Sequence, residues 1–274
     1  MSEVANHPKF DRPPVIEVVH GVRFRRLNFN IAHPGHFQDQ LKDRYPGVQT
    51  VPALPPEREY FGTPQFAALR FEIPLLAELP RAWFISADET MLIQLQSDRL
   101  LLNWRAGPKK DIYPAFSAIS AEFRRVLETL VEFAKASGLG SVDTEQCEMA
   151  YINQMGTWPH DSVMTPHEWL RGWSPDLGPD WVGEMEDFSS VARFALRRPD
   201  GQAYGRVTAN ATTVIMPPSL DRSLQFDISV RGIPNPTGID GILEFHEMAH
   251  DQIVRCFAAM TTTSAHDYWG RRPA

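Results

Sequence analysis

Residues 90–105 read TMLIQLQSDRLLLNWR, and this stretch constrains the fold more than any other. Ser97-Asp98 suits a two-residue hairpin turn, and such a turn fixes the register of the strands on either side. Leu95 then faces Leu100, Ile93 faces Leu102 and Met91 faces Trp104, which covers one side of a sheet with apolar side chains. The other side carries Gln94, Gln96, Arg99, Asn103 and Arg105, interrupted by Leu92 and Leu101. A hairpin of this kind needs a cover for its apolar face and leaves its polar face open. Residues 113–140 supply the cover. Phe116, Ile119, Phe123, Val126, Leu127, Leu130 and Phe133 recur at helical spacing, and Gly138 marks the end of the helix.

Upstream, a Val- and Phe-rich strand is expected over 15–29 and a short helix over 33–46, stopped by Pro46 and Gly47. A Pro-rich connection follows, with apolar runs near 66–73 and 82–87. Downstream of Gly140 the pattern starts over. A strand at about 143–155 leads to a short helix near TPHEWLRGW. Strands follow near 188–198, 203–215 and 221–231, and a terminal helix spans about 237–262. Asp200-Gly201 is a hairpin turn, and Leu224, Phe226, Ile228 and Val230 alternate with Gln225, Asp227, Ser229 and Arg231.

The expected fold is therefore α+β: two similar β-α-β(3-4)-α units sharing a continuous antiparallel sheet, with two long helices on one face. This order is similar to the TATA-binding-protein-like topology. The boundaries are an N-terminal arm over 1–14, a first unit over 15–140 and a second over 141–274, together one structural domain. No residue-level repeat accompanies the pattern.

The terminal helix holds a motif that points elsewhere. His246-Glu247-Met248-Ala249-His250 reads H-E-x-x-H, in which two histidines one helical turn apart can hold zinc and the glutamate can act as base. A catalytic zinc needs a third protein ligand. Residues 251–274 contain no Glu, and Ile253 and Cys256 stand where the extended motif needs Gly and His. At about 100° per residue, Ile242, Phe245, Ala249, Ile253, Cys256, Phe257 and Met260 form one apolar arc. His246 and His250 flank that arc, whereas Glu247, Asp251 and Arg255 point away. The histidines are read as packing residues, with a zinc-dependent hydrolase through His246, His250 and Glu247 as the alternative.

The remaining chemistry is sparse. Cys147 and Cys256 lie far apart in sequence and indicate neither a disulfide framework nor a Cys-rich metal site. No phosphate loop, nucleophile elbow or kinase motif is present, and no cofactor is expected. A net charge of −7 disfavours nucleic acid, which needs clustered Lys and Arg, although binding on the sheet face is a further alternative. The N-terminal sequence lacks the apolar segment of a secretory signal, and no apolar run approaches the roughly 18 residues of a membrane span, so a cytoplasmic location is expected.

Several stretches together resemble an uncharacterised bacterial protein family of sporadic, mobile-element-like distribution. They are PPVIEVVHGVRF, YPGVQ, LIQLQSDRLLLNWR followed by YPAF, AYINQM, and the ending LEFHEMAHDQIVRCFAAMTTTSAHDYWGR. The similarity covers nearly the whole chain. It implies no catalytic residue, and its distribution associates the chain with defence or toxin–antitoxin systems, as an accessory or antitoxin-like component. The expected function is a non-enzymatic protein-interaction module. Its partner-binding candidates are Gln94, Gln96, Asn103, Arg105, Arg206, Thr208, Asn210, Gln225, Asp227 and Arg231 on the polar face, with Trp169 and Trp173 in the Trp- and Pro-rich segment 157–182.

Overall fold

The computed structural model describes residues 8–55, 59–61, 79–107, 113–159, 161–173, 178 and 180–272. The apolar run near 66–73 lies outside these residues. A short strand β1 (Lys9–Phe10) precedes β2 (Val15–Phe24), helix α1 (His33–Asp39) and β3 (Gly47–Val51). Then come β4 (Arg81–Ile85), β5 (Met91–Gln96), β6 (Arg99–Arg105) and the long helix α2 (Phe116–Ala136). The second half runs β7 (Thr144–Trp158), a 3-10 turn at Pro166–Glu168, β8 (Ser189–Arg197), β9 (Ala203–Met216), β10 (Asp221–Gly232) and α3 (Ile239–Met260). A last helix α4 (Thr263–Tyr268) leads to β11 (Arg271–Arg272), which pairs with β1.

The fold is α+β, built on one nine-stranded antiparallel sheet in the order β3-β4-β5-β6-β2-β7-β10-β9-β8. The hairpin register matches the sequence expectation: Met91 pairs with Trp104, Ile93 with Leu102 and Leu95 with Leu100. In the second hairpin Gly201 adopts φ +84°, a backbone region open to glycine without steric cost, and Asp200 Oδ1 accepts the Gln202 N–H at 2.9 Å. β2 and β7, the first long strand of each half, lie side by side at the centre of the sheet.

Helices α2 and α3 pack on one face of the sheet and against each other. α2 buries Ile119, Phe123, Val126, Leu127, Leu130 and Phe133, and α3 buries Ile242, Phe245, His246, Ala249, Ile253 and Phe257. Beneath them lie Val18, Val22, Leu100, Leu102, Cys147, Met149, Phe226 and Ile228 from the sheet. No helix among the described residues is long and apolar enough to cross a membrane.

Four local expectations change. The β2 strand stops at Phe24 rather than continuing to residue 29. α1 is about two turns long, anchored mainly by Phe37, with irregular turns carrying Leu41 and Tyr45 into the core. β3 adds a strand that the flanking Pro46 and Pro52 disguised as loop. The polar arm is also tied down: Phe10 meets the Phe257 ring edge-on at 5.6 Å and the Trp269 ring at 6.2 Å.

Candidate functional site

Alternation along β2 sends Val18, His20 and Val22 toward the helices. His20 thereby lands on the centre of the sheet, under the α2–α3 seam, where α3 brings His246. The two imidazoles meet edge to face with centroids 5.0 Å apart. Phe116 and Phe123 of α2 close over His20 at 5.5 and 5.7 Å, and the His250 ring stacks flat on Phe116 at 4.3 Å. His246 Nε2 donates to the Gly21 carbonyl at 3.1 Å, which fixes its tautomer and leaves Nδ1 without a partner. Neither ring nitrogen of His20 has a hydrogen-bond partner. His250 Nδ1 lies 2.9 Å from the Tyr151 hydroxyl, which is 2.7 Å from the Tyr113 hydroxyl.

Burial, with smaller contributions from His246 and His250, holds the His20 imidazole well below its ordinary range. Burial lowers His246 to about 4, against the opposing pull of its bond to the Gly21 carbonyl. Burial raises the Tyr113 phenol to about 12 and takes Tyr151 well above its usual value. At neutral pH His20 and His246 are therefore uncharged, and the tyrosines stay protonated.

This geometry belongs to a core. Glu247 is exposed on the opposite side of α3, and Asp251 is drawn to Arg255 at 2.8 Å. Among the described residues no group of three or more His, Cys, Asp or Glu side chains is arranged to hold a metal. The motif spacing placed both histidines toward the sheet, and the glutamate that hydrolysis requires points to solvent.

Among the described residues no helix packs on the sheet's other face, yet that face is not uniformly open as expected. Gln94, Gln96, Asn103 and Arg206 are all buried. Gln94 Oε1 accepts from Arg81 (2.6 Å) and the Trp83 indole (3.2 Å), while its amide donates to Asn103. Asn103 in turn donates to Glu17, which also accepts from Arg105 Nε at 3.2 Å. Gln96 exchanges two hydrogen bonds with the backbone of Leu54, imitating one more strand residue. Glu59 accepts from Arg206 and lies 3.8 Å from Arg231, and its backbone carbonyl accepts from Gln146 at 3.0 Å. Leu54, Glu59 and Tyr60 thus strap one end of the face. Period-two alternation cannot separate a solvated polar side from one roofed by a polar segment, because long amides and guanidinium groups satisfy either environment.

Gly21 leaves room on this face for two neighbouring side chains. A Cβ there would sit 2.5 Å from Glu148 Cγ and 2.7 Å from Leu101 Cδ2, side chains that close over β2 from its two neighbours.

Beyond the strap the second half of the face is half-exposed. Arg105, Glu17, Ile152, Asp227 and Asn210 form one row across five strands. Val19, Ala150, Ser229 and Thr208 form the next row. Asp227 is the electrostatic anomaly here. Its Oδ2 accepts from Gln225 at 2.8 Å, while Oδ1 is buried with no donor. Burial raises its carboxyl above the ordinary range, Gln225 offsets part of that, and the charge of Glu17 raises it further.

The two candidate tryptophans are internally engaged. Trp173 meets Phe188 edge-on at 4.8 Å, and Trp169 stacks on Trp269 at 5.7 Å. Sequence reasoning missed a groove of about 510 Å³ lined by Arg44, Tyr45, Ser86, Asp88, Met91 and Glu122. Burial pushes Glu122 up, but bonds from Arg125 and Tyr45 outweigh it and leave the carboxyl below its usual range. The Ser86 hydroxyl and the Thr90 N–H hold Asp88 down as well. Both acids already have donors within the protein. No protein-family model and no curated protein matches the chain.

Proposed function

We propose that this chain is a non-enzymatic protein-interaction module that docks a basic side chain of a partner protein on the half-exposed face of β7, β9 and β10. The observation that carries the reading is Asp227, whose Oδ1 is buried without a donor beside the charge of Glu17. A buried acceptor left unsatisfied costs on the order of 1–3 kcal/mol. A Lys or Arg delivered to this point supplies the missing donor and relieves the repulsion between the two carboxylates. Small neighbours, Ala150 and Ser229, leave room for an approaching side chain. The net charge of −7 favours a basic partner and opposes phosphate backbones.

An internal duplication explains why such a face exists. In each half the first long strand lies at the sheet centre and the rest follow outward in reverse chain order: β2-β6-β5-β4-β3 on one side and β7-β10-β9-β8 on the other. This supports the reading of two similar units in a TATA-binding-protein-like arrangement, with both long helices on one side. We place the module in the cytoplasm and, on the strength of the family resemblance alone, assign it an accessory or antitoxin-like role. The test is affinity capture from the native host with the parent chain and with Asp227→Lys. A stoichiometric partner retained by the first and lost by the second is the expected result, and equal capture by both refutes the assignment.

A further inference from the structure

The two edges of the sheet are built differently. β3 is five residues long and sits between Pro46 and Pro52, features that blunt an edge against pairing. β8 is nine residues long with no proline, and no described residue pairs with its outer side. Its side chains are exposed on both faces, including Val191 at 47% and Phe194 at 50%. The Phe188 carbonyl accepts the Thr213 N–H, so even-numbered residues of β8 bond to β9. The intervening residues Ser189, Val191, Arg193 and Ala195 turn their N–H and C=O groups outward.

Charge is distributed unevenly along this edge. Glu184, Glu186 and Asp187 precede the strand, and Arg193, Arg197 and Arg198 occupy its second half and end. Glu186, Asp187 and Arg197 are exposed, and none of the three forms an ion pair among the described residues. A segment that is acidic at one end and basic at the other complements itself when it runs antiparallel to a copy of itself.

We propose that β8 pairs antiparallel with β8 of a second copy of this chain, about a two-fold axis at Ala192, joining the two sheets into one. Outward-facing residues must oppose one another, so only registers pairing odd with odd positions are compatible with the free backbone groups. The register centred on Arg193 sets two arginines face to face on the axis. The register centred on Val191 leaves Asp187 opposite Ala195. The register centred on Ala192 places Asp187 against Arg197 and Glu186 against Arg198, with Phe188 opposite Leu196. It also brings both half-exposed Phe194 rings under cover on the helix side. The interface is isologous and removes one free edge from each copy. It lies apart from the Asp227 face, so either proposal stands without the other.

The experiment is sedimentation equilibrium of the full chain over a concentration series. Asp187→Arg, Arg197→Asp and the double swap are compared with the parent, each checked by circular dichroism for an unchanged melt. Both positions are exposed, so the fold is expected to survive all three variants. A parent dimer, single variants shifted at least tenfold toward monomer and a double variant that dimerises again constitute the predicted result. A parent that stays monomeric to about 100 μM overturns the proposal. So does a dimer indifferent to the single swaps, or one that the double swap fails to restore.

Discussion

Replacing His246 by leucine should reverse its effect on stability between neutral and acidic pH. At pH 7 the imidazole is uncharged in both folded and unfolded chains, and it donates a hydrogen bond to the Gly21 carbonyl. Losing that bond while keeping a similar volume costs about 1 kcal/mol. Acid changes the balance. Burial lowers the folded-state imidazole to about 4, against an ordinary 6.5. Below 6.5 the unfolded chain takes up a proton that the folded chain resists. Stability from this group is therefore fully present above 6.5 and is lost as pH falls toward 4. At about 1.36 kcal/mol per pH unit, the parent loses about 2.5 kcal/mol between pH 6.5 and 4.5 that the leucine variant does not lose. The two stability curves should cross near pH 6, with the variant ahead by about 1–2 kcal/mol at pH 4.5. Urea unfolding followed by tryptophan fluorescence at pH 7 and pH 4.5 measures both differences. A gap that stays constant within about 0.5 kcal/mol would mean instead that the buried imidazole titrates as freely as in the unfolded chain.

Glu247→Gln should change the urea midpoint by less than the equivalent of about 0.5 kcal/mol, since the side chain is exposed; a large loss would reopen the hydrolase alternative. Phe257→Ala should cost about 3–5 kcal/mol in the same assay, because it removes the ring that packs on Phe10 and Trp269. Asp227→Asn should raise the melting temperature at pH 7. The folded-state carboxyl is raised, so its stability contribution is present below the ordinary Asp value and lost as pH rises through the folded one. That gain should vanish near pH 3, and a gain independent of pH would contradict it.

How far the sequence reaches can be traced through individual residues. The Ser97-Asp98 turn and the alternation around it gave the hairpin register because a two-residue loop leaves the strands no freedom to slip. The apolar arc of α3 was legible for the same kind of reason, since helical geometry fixes which side chains share a face. His20 was legible only in part. Its alternation with Val18 and Val22 assigns it to the core, but nothing in the sequence pairs it with a histidine 226 positions away. That juxtaposition depends on β2 lying at the sheet centre beneath α3, a consequence of strand order. The strap was hidden because Leu54 and Glu59 reach Gln96 and Arg206 through backbone and carboxylate groups that carry no periodic signature.

Docking on this face depends on the unsatisfied acceptor at Asp227. Quantitative capture from the native host at matched bait levels compares the parent with Asp227→Lys, after circular dichroism confirms that both baits are folded. A stoichiometric protein partner is expected on the parent, at least tenfold depleted on the variant and released from the parent by raised salt. Capture of the same proteins in the same amounts by both baits, or no stoichiometric partner on the parent, would contradict it.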